Sequence, residues 1–140
     1  VHHVLVLDAE EYVVSCGDGL YRTPDAGRSW TRLDEDLDHR YFREAFAVDD
    51  RLYAAAARGS PPTWDGSRGA DAALFESTDR GDFFETVPYP GAPDEVVLAW
   101  AGYDGRVLAG TNGGRILVRE RDGWTTLGDV PAAVRSLAAL

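Results

Sequence analysis

One short pattern is written three times along this chain. Gly19-Leu20-Tyr21-Arg22-Thr23 returns as Ala73-Leu74-Phe75-Glu76-Ser77 and again as Arg115-Ile116-Leu117-Val118-Arg119. The run Trp30-Thr31-Arg32-Leu33 returns as Phe84-Glu85-Thr86-Val87 and Trp124-Thr125-Thr126-Leu127. Upstream, Tyr12-Val13-Val14-Ser15 matches Leu52-Tyr53-Ala54-Ala55 and Val107-Leu108-Ala109-Gly110. Before those lie Val4-Leu5-Val6-Leu7, Ala45-Phe46-Ala47-Val48 and Val97-Leu98-Ala99-Trp100. Each unit offers four short apolar-rich runs separated by Gly/Asp turns, which reads as four antiparallel strands repeated in tandem.

A four-stranded unit repeated at this spacing is the pattern of a β-propeller blade. The expectation is an all-β chain of about three blades, near residues 1–39, 40–93 and 94–133, with 134–140 starting a fourth. Val134-Arg135-Ser136-Leu137-Ala138-Ala139-Leu140 resembles the opening Val1-His2-His3-Val4-Leu5-Val6-Leu7. Closed propellers have about four to eight blades. The chain is therefore expected to be a fragment of a longer propeller, or to close a ring with further copies, since open blade edges expose unpaired backbone.

Between the third and fourth runs of the first unit stands Thr23-Pro24-Asp25-Ala26-Gly27-Arg28-Ser29-Trp30. Gly27 can take the positive φ of a tight reversal, and the Asp25 carboxylate can accept backbone N–H groups there. Thr23 and Ser29 can add hydroxyl bonds, and Trp30 is expected to start the returning strand and lay its ring between neighbouring sheets. The second unit keeps Ser77, Asp79 and Gly81 but has Phe83 and Phe84 where Ser29 and Trp30 stood. The third replaces the segment with an Asp122-Gly123 turn, itself a hairpin signal. The pattern S/T-x-D-x-G-x-S/T-W resembles the Asp-box of the bacterial neuraminidase repeat. That resemblance implies a hairpin staple inside a propeller blade rather than a catalytic carboxylate. Families with such repeats include sialidases, xyloglucan-active glycosidases, sortilin-type receptors and photosystem II assembly factors, so the fold does not select an activity.

Charge narrows the partners. The formal net charge is −10, and all 14 basic residues are arginine, spread along every loop. Such a surface resembles those of halophilic proteins, which favours a cytoplasmic protein of a halophile over the alternative of a secreted one, and it disfavours nucleic acid, whose phosphates need a basic face. No apolar run is long enough for a membrane helix. Lone Cys16 excludes an intrachain disulfide and reads as a small buried strand residue. No cofactor or metal is expected. Gly110-x-x-Gly113-Gly114 lacks the Lys-Ser/Thr of a phosphate loop. Asp34, Asp36 and Asp38 have calcium-loop spacing, but His39 replaces its turn glycine and Ala45 its last carboxylate, so they read as an exposed acidic loop. His2 and His3 are too few for a metal site.

Loop lengths point to a face. The resemblance implies that A–B and C–D turns share one end of the propeller, with B–C and D–A loops at the other, where partners dock. Gly17-Asp18 and Thr111–Gly114 are short B–C turns, whereas Arg58–Asp71 is a long excursion carrying Trp64 between Asp65 and Arg68. Long loops on compact scaffolds often carry function, and Trp is a common contact platform. Arg40, Arg43, Arg58, Trp64, Arg68 and Tyr89 are the expected binding residues for a protein or glycan, in a non-catalytic module. The alternative is a glycoside hydrolase. Sialidase resemblance requires three substrate-clamping arginines and a Tyr/Glu nucleophile pair. Phe42-Arg43-Glu44-Ala45 keeps Phe-Arg of the family's Phe/Tyr-Arg-Ile-Pro and loses Ile-Pro, while Arg40, Arg43 and Arg58 are the arginines that could cluster. No catalytic residue is assigned.

Overall fold

The computed structural model describes all of residues 1–140. Its twelve strands form three four-stranded antiparallel sheets, each ordered as in the sequence. The first holds β1 (His3–Val6), β2 (Tyr12–Cys16), β3 (Gly19–Thr23) and β4 (Thr31–Arg32). The second holds β5 (Tyr41–Val48), β6 (Arg51–Ala57), β7 (Ala73–Ser77) and β8 (Glu85–Val87). The third holds β9 (Val97–Tyr103), β10 (Arg106–Thr111), β11 (Arg115–Glu120) and β12 (Gly123–Asp129). The chain is thus a partial β-propeller of three blades. The leading strands β1, β5 and β9 pack side by side and form its inner edge.

Alternation explains why blades stack. In β6, Leu52, Ala54 and Ala56 join the core shared with the first blade, while Tyr53 and Ala55 face the third. A strand's period of two thereby serves two cores, and small residues let the sheets approach. The first core packs Val13 and Leu20 against Phe42, Phe75 and Phe84, with Phe42 and Phe75 ring centroids 6.3 Å apart. The second packs Tyr53 and Leu74 against Leu117, Trp100 and Trp124, the two indoles 5.8 Å apart. Between β9 and β10, Asp104 and Gly105 both have positive φ (49° and 74°), the conformation a two-residue hairpin needs to match strand twist.

Trp30 departs from expectation. Phe84 and Trp124, at its repeat position, are buried against the preceding blade. Trp30 is 49% exposed and lies outside β4, beside Gly27. The physical reason is that no sheet stands on that side of the first blade. Val4 and Val6 are exposed for the same reason, as are Tyr103 and Leu127 on the opposite flank. Cys16 is free and only half-buried. Residues 134–140 form no strand; Val134 packs over Gly110, where a Cβ would run into it, and donates its N–H to Thr111 O at 2.9 Å.

The Thr23–Trp30 turn is built by short-range bonds. The Thr23 hydroxyl donates to Asp25 Oδ1 (2.9 Å) and accepts the N–H of Gly27 (2.7 Å). Asp25 Oδ1 accepts the Ser29 N–H (2.7 Å), and Oδ2 accepts the Ser29 hydroxyl (2.6 Å). Ala26 and Gly27 carry the positive φ angles of the reversal, 57° and 90°. Ser77, Asp79 and Gly81 repeat this scheme in the second blade, with Gly81 N–H on Ser77 Oγ (2.9 Å) and Phe83 N–H on Asp79 Oδ1 (2.9 Å). Phe83 lacks a hydroxyl, so the second carboxylate bond is lost there.

The Ser29 hydroxyl and N–H, with Thr23, hold the Asp25 carboxyl below its ordinary value of 3.8. A depressed folded value means the ionised group stabilises the fold at pH above the unfolded value, and that contribution disappears as pH falls through the folded one. Melting curves should show the Tm gap between parent and Asp25→Ala narrowing as pH drops below 3.8. A gap constant from neutral pH to below that value would mean the carboxylate charge is irrelevant to the turn.

Candidate functional site

The long loop of the second blade is ordered by its own bonds. Arg58 donates through Nε (2.8 Å) and Nη2 (2.5 Å) to Asp71 Oδ2, closing the neck. That guanidinium holds the Asp71 carboxyl below its usual range. The Arg58 N–H bonds Ala70 O (3.0 Å), and Ala70 N–H bonds Asp94 Oδ1 (3.1 Å), tying the loop to the next D–A connection. At the tip, Pro61–Thr63 makes one 3-10 turn, with Thr63 Oγ1 donating to Ser60 O at 2.7 Å. Proline fixes φ at the start of this turn and lowers the entropy of ordering it.

Trp64 follows the turn and is only partly buried. Its Nε1–H donates to Gly59 O at 2.8 Å, and its ring meets Tyr41 edge-on, centroids 5.9 Å apart. The indole is therefore fixed in orientation while one part of its surface is open. Beside it is a cavity of about 230 Å3 walled by Tyr41, Arg43, Pro61, Trp64, Leu98 and Arg135. Strands β5 and β9 supply Tyr41, Arg43 and Leu98, the loop supplies Pro61 and Trp64, and the C-terminal tail supplies Arg135. Asn112 closes one edge, its Oδ1 accepting Val96 N–H (3.0 Å) and its Nδ2 donating to Asp94 O (3.1 Å).

Only two of the expected binding residues meet here, Arg43 and Trp64. Arg40 is committed to the D–A connection: its Nη1 donates to Asp34 Oδ2 (3.2 Å), Asp34 O (2.9 Å) and Leu37 O (2.5 Å). Arg58 is the loop's neck and Arg68 is exposed on the loop outside the cavity. Tyr89 is also outside; its hydroxyl donates to Glu95 O (2.6 Å), and burial pushes the phenol up to about 12. Arg40 and Arg58 thus do not line the cavity with Arg43, and each already serves a local carboxylate. Asp34 is the companion correction. Expected in an exposed loop, it is fully buried, accepting Leu20 N–H and both Arg32 and Arg40. Arg135, not among the expected residues, lines the cavity with Arg43.

No carboxylate lines the cavity, so it lacks the pair that glycoside hydrolysis requires. No group of three or more His, Cys, Asp or Glu side chains converges anywhere in the chain. A larger hollow of about 640 Å3 opens at the opposite end, between the second and third blades, with Asp49, Asp50 and Glu120 facing Arg51, Arg106, Arg119 and Arg121. Its rim sets carboxylates among the arginines, with Arg106 3.6 Å from Glu120, whereas the Trp64 cavity holds arginines and no carboxylate. At the inner edge His3 Nε2 lies 3.5 Å from Glu44 Oε1; burial lowers the histidine and raises the carboxyl.

Fold and cavity together define a β-propeller presenting a small, apolar-walled basic hollow at its loop end. The backbone is similar to that of YCF48 in the structure "YCF48 bound to D1 peptide", with a TM-score of 0.65 and 19% identity. That match covers 93% of this chain and 42% of the YCF48 chain, so this chain spans less than half of it. It is also similar to the computationally designed Ika4 protein (TM-score 0.58, 15% identity, 99% of this chain and 80% of that one). Both likenesses are of fold. No protein-family profile and no curated protein matches the chain. No helix is long and apolar enough to cross a membrane.

Proposed function

We propose that this chain is a non-catalytic propeller module that binds a protein partner, taking an extended segment of it at the B–C and D–A loop end. The carrying observation is the Trp64 cavity, in which an indole fixed at both ends stands beside two arginines with no carboxylate in the wall. A half-open, pre-oriented indole loses little entropy on contact and is the kind of side chain that dominates binding energy. The likeness to a propeller whose structure carries a D1 peptide supports a peptide as the kind of partner. Arg68, exposed on the same loop, would meet a segment extending beyond the cavity.

Selection of a random dodecapeptide library against the immobilised chain should yield ligands, and these should lose affinity in Trp64→Ala. Truncating a central indole costs about 2 kcal/mol, a roughly thirtyfold rise in Kd. Selected peptides that bind the Trp64→Ala chain as tightly as the parent would place the contact elsewhere and sink this reading.

A further inference from the structure

The two arginines of this cavity have no carboxylate partner, although the chain is rich in acid. Acidic residues number 24 against 14 basic ones, and most arginines are held by a carboxylate, as Arg40 is by Asp34, Arg58 by Asp71 and Arg115 by Glu95. Arg43 and Arg135 take part in no ion pair. Three carboxylates of the surrounding framework are already committed, while Glu44, beside Arg43, faces His3 at 3.5 Å and exposed Asp65 lies outside the cavity wall. Asp71 accepts Arg58, Asp94 accepts the Ala70 N–H, and Glu95 accepts Arg115 through both oxygens (2.9 and 3.1 Å). None of the three turns into the cavity wall.

We infer that the cavity recognises a carboxylate carried next to an apolar side chain of the peptide partner. This inference rests on the peptide-binding reading above and names the chemistry of its ligand. A guanidinium presents paired N–H donors whose geometry matches a carboxylate, and two guanidiniums line this one cavity. The remaining wall, from Tyr41, Pro61, Trp64 and Leu98, is apolar and suits a hydrocarbon or aromatic side chain. A volume of about 230 Å3 admits one large residue and excludes a folded element. The low-dielectric wall strengthens the ion pair once water is expelled. Long-range attraction does not contribute, because the chain as a whole is formally −10. Selectivity for the anion therefore lies in the contact itself. Two sources carry this chemistry, a free chain terminus and an internal Asp or Glu.

Fluorescence anisotropy with three pools of fluorescein-labelled octapeptides separates them. One pool ends in an apolar residue with a free carboxylate, the second is the same with a carboxamide end, and the third is carboxamide-ended with an internal glutamate beside leucine. At least one acid-bearing pool should bind the parent about tenfold more tightly than the neutral pool, the weight of one charge-assisted contact. That difference should collapse in Arg43→Gln and in Arg135→Gln, with melting temperatures unchanged. Preference for the first pool assigns a chain terminus, and preference for the third an acidic side chain. Equal binding of acid and neutral pools, or a preference that survives both glutamine variants, overturns the carboxylate inference while leaving peptide binding intact. Binding of no pool overturns both.

Discussion

Asp34→Ala should lower the unfolding free energy by about 3 kcal/mol, the weight of a buried carboxylate removed from two charged partners. The carboxylate is fully buried, and Leu20 N–H donates to its Oδ1 at 3.0 Å. Arg32 approaches through Nε (3.1 Å) and Nη2 (3.2 Å), and Arg40 through Nη1 (3.2 Å). Alanine leaves the Leu20 amide without an acceptor, which alone costs about 1–3 kcal/mol. Both guanidiniums reach solvent, with side chains 29% and 37% exposed, so water recovers part of their loss and the total stays at the lower end of the buried-pair range. Urea titration at neutral pH reads the change. Asp34→Asn, which keeps an acceptor for Leu20, should lose less than alanine. A loss under about 1 kcal/mol for alanine would show that water replaces the carboxylate and that the D–A connection holds without it.

Glu76→Ala should cost a similar amount, about 3 kcal/mol, by a different route. Glu76 belongs to β7 of the second blade, but its partners belong to the third. Arg119 grips both oxygens (2.6 and 3.1 Å), and the Trp124 indole N–H donates to Oε1 at 2.9 Å. Removing the carboxylate leaves two guanidinium N–H groups and an indole N–H without an acceptor at the blade interface, and the Arg119 side chain is only 21% exposed. The distinguishing signature is coupling across that interface. Trp124→Phe should cost clearly less in the Glu76→Ala background than in the parent, because residues sharing a bond are non-additive. Additive losses would show that the indole is held by packing alone and that Glu76 serves only Arg119.

These two carboxylates also show where sequence reasoning stops. The Thr23–Ser29 turn was readable because its side-chain bonds span four residues or fewer, so residue type and spacing carry the chemistry. The three-blade fold was readable because the repeat writes each blade's strands in the same order. Asp34 was not, because its acceptor role depends on Leu20, fourteen residues away, closing over it. Glu76 was further out of reach, with partners 43 and 48 residues distant.

The arginines fail for the same reason. An arginine in a loop looks free until its acid is located, and Arg40 and Arg58 find theirs within the connections they belong to. Trp30 misled because its motif is local while its burial depends on a neighbouring sheet. Of the site itself, Trp64 was legible as an aromatic in an enlarged loop. Arg135 had no such signal, because residues 134–140 form no strand and Val134 is held on Gly110 and Thr111 instead.

The distribution of indoles gives the molecule a built-in optical division of labour. Trp100 and Trp124 lie 5.8 Å apart at 69°, with Tyr53 against both, a chiral array close enough for their excited states to mix. Near-ultraviolet circular dichroism will therefore be dominated by the junction of the second and third blades and will fade when that junction loosens. Trp30 is half in solvent and emits as a red-shifted background indifferent to either event. Trp64, of the four tryptophans, alone borders the cavity, so a ligand entering it changes emission while leaving the dichroic band in place. Occupancy and integrity can thus be followed in one cuvette without a label.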